Sequence, residues 1–147
     1  MRAIIQRVNS AQVIVDENTV GEIQKGYLIY LGITHTDTSF TADKLVDKIL
    51  KIRLFPSDSK PINANISSIE GEILVVSQFT LYASTKKGNR PNFRLAAKPE
   101  HAELLYDYFV KKLESAYKHK IASGRFGADM KVISENDGPI NIIVDID

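Results

Sequence analysis

The 147 residues carry nineteen lysines and arginines against eighteen aspartates and glutamates, a formal charge of +1, so no overall field draws the chain onto nucleic acid or an acidic membrane and any such partner must be met locally. The length suits one domain over residues 1–147, large enough to bury about two thirds of its unfolded surface. The absence of cysteine excludes disulfides, a thiolate nucleophile and Cys-held zinc or iron–sulfur centres.

The first eight residues include Arg2 and Arg7 and have neither an apolar signal core nor a small-residue cleavage site, so the expected location is the cytoplasm. No apolar run approaches the roughly 20 residues of a membrane helix. Ala3 to Val8, Ala11 to Val15 and Val20 to Ile23 are rich in β-branched residues and read as strands, broken at Asn9-Ser10 and at Asp16-Glu17-Asn18. Tyr27 to Ile33 is almost wholly apolar, the pattern of a central strand covered on both faces. From Ser39 the period becomes helical, with Leu45, Val46, Ile49 and Leu50 on one face and Thr38 or Ser39 as cap.

Pro56 to Pro61 reads as a surface loop, and Ile62 to Ser68 has little periodicity. Glu72 to Tyr82 is the strongest strand signal, running into a polar, basic loop over Ala83 to Lys98. Pro99 suits the start of a second amphipathic helix carrying Leu104, Leu105, Tyr108, Phe109 and Leu113. Met130 to Ile133 and Ile140 to Val144 flank a stretch of turn composition, so a closing hairpin is expected. The fold class is therefore mixed α/β, a layered β-sheet with two amphipathic helices.

For chemistry the sequence speaks first by elimination. It contains no nucleophile elbow, phosphate loop, dinucleotide fingerprint or zinc-protease motif. His35, His101 and His119 are scattered, and only His35 has a nearby acid, Asp37. Ser77-Gln78-Phe79-Thr80 closes the strongest strand, where a pocket commonly opens, yet no base adjoins either hydroxyl. Between Ile73 and Pro99 there is no acid, while Lys86, Lys87, Arg90, Arg94 and Lys98 supply positive charge with Tyr82 and Phe93 interleaved. That loop is a local anion-binding patch suited to phosphate.

Four fragments in order, Met1-Arg2-Ala3 with Gln6-Arg7-Val8, Ser77-Gln78-Phe79-Thr80-Leu81, Gly124-Arg125-Phe126-Gly127-Ala128-Asp129-Met130 and Asn136-Asp137-Gly138-Pro139, resemble the D-aminoacyl-tRNA deacylase family across the whole chain. The resemblance implies a barrel-like core, a homodimer with its active site at the subunit interface, and a carboxylic ester hydrolase that frees a D-amino acid, or glycine mischarged on tRNA-Ala, from the 3′ end of tRNA. It implies tRNA as partner, neither membrane nor DNA, and neither cofactor nor metal. Ser77, Gln78, Phe79, Thr80, Phe126 and Met130 would bind the substrate, and Gly138-Pro139, in cis, would enter the other subunit's pocket and exclude L side chains. Arg7 would brace that segment, Ala96 would be a small residue of the pocket wall, and Lys86, Lys87, Arg90 and Arg94 would meet tRNA phosphates. Catalysis would rest on main-chain groups and the tRNA 2′-hydroxyl, with Thr80 as the competing nucleophile. Asn141 stands where the family usually has threonine, exchanging a hydroxyl for an amide. Two alternatives remain open, a tRNA-binding module without catalysis and an esterase dependent on Thr80.

Overall fold

The computed structural model describes residues 1–147. Its longest element near the N-terminus, β1 (Arg2–Val15), runs straight through Asn9-Ser10, where the composition suggests a break. Partners on both edges explain the continuity. β3 (Gly26–Gly32) pairs antiparallel with Arg2 to Val8, and β2 (Asn18–Ile23) pairs antiparallel with Ala11 to Val15. Along the other edge β1 meets β8 (Lys131–Asp145) over almost its full length, with register shifts between Gln6 and Ser10. Those shifts bend the strand without ending it.

β6 (Glu72–Ser77) lies parallel to β3 and β7 (Ile121–Ser123) lies parallel to β6, giving the order β2-β1-β3-β6-β7 with β8 added on β1. The sheet curls until β2 approaches β7. Gly21 permits that closure, since a Cβ there would sit 2.6 Å from the Ser123 carbonyl oxygen. Val8, Val13, Val15, Ile23, Leu28, Leu74 and Val76 fill the inside of the curl. The other face is covered by α1 (Ser39–Lys51) and α2 (Pro99–Ala116), which bury Leu45, Ile49, Phe109 and Leu113 against Ile5, Ile29 and Val75. Thr38 caps α1 in a capping box with Thr41. No helix is long and apolar enough to cross a membrane.

Three further sequence expectations change. The proline-flanked surface loop is a hairpin, β4 (Arg53–Ser57) and β5 (Lys60–Asn65), turning through Asp58 and Ser59 in left-handed conformation. It is anchored by Phe55, whose ring stacks on Tyr27 at 5.2 Å, and its prolines sit in a two-stranded ribbon where few ladder bonds are lost. The closing hairpin is instead the single strand β8, because β1 offers a partner on both sides of the Asn136 to Pro139 irregularity. β6 ends at Ser77 rather than Tyr82, and Phe79–Tyr82 form a 3₁₀ turn.

Candidate active site

The ends of β3 and β6, the 3₁₀ turn, the loop entering α2 and the turn at Phe126-Gly127 enclose a cavity of about 410 Å³. Gln78 anchors its edge by donating its N–H to the Leu31 carbonyl at 2.8 Å. Ser77, Gln78, Phe79, Ala96 and Phe126 line it, joined by Phe93, which the sequence marks only as an aromatic among the basic residues. Phe79 and Phe93 meet edge to face at 5.0 Å and stay 57% and 39% exposed, so two aromatic rings stand at the mouth in contact with solvent. Such a pair is a surface on which a nucleobase can stack.

Local bonds hold the walls. Ala96 bridges Thr34, whose Oγ1 donates to the Leu95 carbonyl at 2.6 Å, and Ala97 donates to the Ile33 carbonyl at 2.9 Å. Phe126 leans on Tyr106 with ring centroids 5.8 Å apart. Arg2 fastens the 3₁₀ turn by donating to the Leu81 carbonyl at 3.0 Å, lying over the Tyr82 ring and pairing with Asp145 at 2.7 Å. Its role is hidden in the sequence because its partners Leu81 and Asp145 lie 79 and 143 positions away. Burial pushes the Tyr82 phenol up to about 12, assisted by nearby acids.

The remaining predicted residues lie apart from one another. Thr80 is exposed at the rim, outside the cavity lining, and its Oγ1 accepts a bond from Gln78 Nε2. No base reaches it. His35 Nε2 is bonded with the Arg94 carbonyl at 2.8 Å, His101 Nε2 with the Asp37 carbonyl at 3.0 Å, and the Asp37 carboxylate holds the buried Met1 ammonium at 2.5 Å and the Thr34 N–H at 2.7 Å. Met130 does not line the cavity. It packs on the apolar cluster inside the curled sheet, and its sulfur occupies the space a Cβ at Gly124 would need.

Lys86, Lys87 and Arg90 ride the exposed tip of a loop closed by paired bonds between Ser84 and Asn92 at 2.8 and 3.0 Å, and exposed Arg94 follows Phe93 at the mouth. No three of His, Asp and Glu converge as a metal site.

Gly138 and Pro139, joined by a cis bond, lie elsewhere. They flank Arg7 on β1, whereas the cavity opens at the Gly32 end of β3, which pairs with Arg2. Five strand positions separate Arg2 from Arg7, roughly 17 Å. Arg7, 7% exposed, donates from Nη1 to the carbonyls of Leu54 at 2.8 Å and Pro61 at 3.3 Å. Its Nε sits 3.0 Å from Asp137 Oδ2 but off the line of a hydrogen bond, making an ion pair. A Cβ at Gly138, where φ is +120°, would fall 3.3 Å from Arg7 Nη2 and 2.9 Å from Ile140 Cγ1. Asn141 accepts from Asn136 Nδ2 at 2.9 Å and so clamps the two flanks of the Gly-Pro segment.

Comparison with known proteins agrees in extent. The family described as D-Tyr-tRNA(Tyr) deacylase matches residues 4–145. A D-aminoacyl-tRNA deacylase of Cellvibrio japonicus (strain Ueda107) is 52% identical over 147 residues, all of both chains. Another from Clostridioides difficile (strain 630) is 49% identical over 145 residues, 99% of this chain and 97% of that one. Among solved structures, one titled c-Myc DNA Unwinding Element Binding Protein superposes with a TM-score of 0.93 at 39% identity, covering 99% of this chain and 98% of that chain. A second, titled as a probable eukaryotic D-amino acid tRNA deacylase, shares the fold with a TM-score of 0.85 at 20% identity, covering 97% of each. With the family matched over nearly every residue and the relatives over their full length, this chain belongs to the D-Tyr-tRNA(Tyr) deacylase family.

Proposed function

We propose that residues 1–147 act as one deacylase domain that hydrolyses the ester joining a D-amino acid to the 3′-terminal adenosine of tRNA, releasing both. The cavity carries this reading: a mostly apolar hollow with an aromatic mouth, beside a loop bearing Lys86, Lys87, Arg90 and Arg94 and no acid, suits a nucleoside whose phosphates lie outside. Ser77, Gln78, Phe79 and Phe126 hold the adenosine and the ester, with Ala96 giving room and Thr80 at the rim.

The enzyme works as a homodimer in the cytoplasm. Gly138 and Pro139 lie too far along β1 to serve their own cavity, and a two-fold contact carries them into the partner's. Their main-chain oxygens accept from the substrate ammonium and leave no room for an L side chain, while glycine, having none, is also processed. Main-chain N–H groups at the start of the 3₁₀ turn polarise the scissile carbonyl, and the tRNA's own terminal 2′-hydroxyl assists the chemistry. Thr80 has no base to activate it.

Deacylation of D- and L-tyrosyl-tRNA by the purified protein tests this. The D ester is consumed and the L ester spared, and Thr80→Ala retains turnover. Equal loss of both esters refutes stereochemical selection, and tight binding without turnover favours a non-catalytic tRNA-binding module.

A further inference from the structure

A second hollow, of about 380 Å³, runs along the outer flank of α2 and shares Phe126 with the first. Ala102 faces the first cavity, and Glu103, Asp107 and Lys111, farther down the same helix, face the second. The two therefore form one trough along α2, divided by the Phe126 ring. Three of the second hollow's lining residues are apolar or aromatic: Tyr106, fixed by donating its hydroxyl to the Val75 carbonyl at 2.9 Å, stands beside Phe126 and Val110 in an otherwise polar lining.

Around these stand three carboxylates, Glu103, Asp107 and Glu114, and two cations, Lys111 and Arg125. All five are exposed, and none has a salt bridge or side-chain hydrogen bond within the chain. One more acid than base argues against a phosphate as occupant. The set suits a flat heterocycle that donates through an exocyclic amine and accepts at the adjoining ring atoms, since carboxylates accept from the cytosine amine while Arg and Lys donate to base acceptors. Uracil, presenting a carbonyl in place of that amine, would face the acids with an oxygen.

We propose that this hollow is the subsite for the base preceding the substrate's terminal nucleoside, an amino-pyrimidine of the cytosine type. The assignment rests on the ester-cleaving reading above, in which the terminal nucleoside fills the first cavity. A strand leaving that cavity along α2 brings its next base over Phe126 and into reach of Asp107 and Arg125.

Steady-state hydrolysis of three D-tyrosyl esters, those of adenosine, CpA and UpA, tests the subsite. The expected result is a KM for the CpA ester roughly tenfold below those of the adenosine and UpA esters, as befits one recognised base. Asp107→Ala and Arg125→Ala abolish that advantage and move the KM for the adenosine ester by less than about twofold. Equal KM for CpA and UpA esters, or variants that weaken the adenosine ester as much as CpA, overturns the subsite while the deacylase reading stands. Failure to hydrolyse any of the three overturns both.

Discussion

Gly138 occupies a position that admits no side chain in either of two senses. Its φ of +120° is one that L residues rarely adopt, and a Cβ would press on Ile140 and approach the Arg7 guanidinium. Gly138→Ala is therefore expected to cost about 1–3 kcal/mol, read as a lower urea midpoint, and to reduce deacylation much more than that loss of fold accounts for. Activity unchanged in a folded Gly138→Ala protein would dissociate this segment from the reaction. Arg7 shows why such a role was only partly visible beforehand. A buried arginine on a strand is recognisable as unusual, but its bonds to Leu54 and Pro61 join residues about fifty positions apart and depend on a hairpin the composition conceals. Phe93 was within view, an aromatic among cations, yet only the turn that sets it against Phe79 makes it part of a mouth.

Among elements, legibility follows the clarity of the apolar period. The central strand β3 and both helices emerge from the sequence because each buries a continuous stripe, Leu45 and Ile49 on α1 and Phe109 and Leu113 on α2. β4 and β5 escape because Pro56 and Pro61 mimic a loop, and β8 escapes as a single strand because Asn136 to Pro139 have a turn's composition while the pairing that carries the strand through them, Val8 with Asn136 and Gln6 with Asn141, joins opposite ends of the chain. The basic loop was apparent as charge. Its closure by Ser84 and Asn92 adds that Lys86, Lys87 and Arg90 share one tip. Replacing all three by Ala should raise KM for aminoacyl-tRNA and lower the slope of log KM against log salt by about 2, the value for three contacts to a single strand. An unchanged salt slope removes the loop from tRNA binding.

For the whole molecule, the proposed sharing of the site between subunits permits a test that no single subunit can pass. A Gly138→Ala protomer retains its own cavity, and an Ala96→Phe protomer, its cavity filled, retains Gly138. Each homodimer should be inactive and the mixture active, because the mixed dimer contains one intact pairing; a mixture as inactive as its components contradicts the exchange. Alkaline stability is another molecular property. Burial raises the phenols of Tyr27, Tyr106 and Tyr117, the last to about 12, and Tyr106 and Tyr117 also donate to buried carbonyls. The unfolded chain releases these protons near pH 10 and the native one only above it. Urea midpoints should accordingly hold steady up to about pH 10 and fall as the pH rises toward about 12.

The strand β1 is also a ruler. In the proposed homodimer Arg2 stands beside what each subunit would receive and Arg7 beside what it would lend, so the interval between them would set the reach of both ends of the exchange. Loss or gain of a single residue there turns every later side chain to the opposite face, and two-fold symmetry repeats the error at both sites. Point changes along β1 can be absorbed by packing, whereas a change in its length strikes the fold, the lending surface and the receiving surface together.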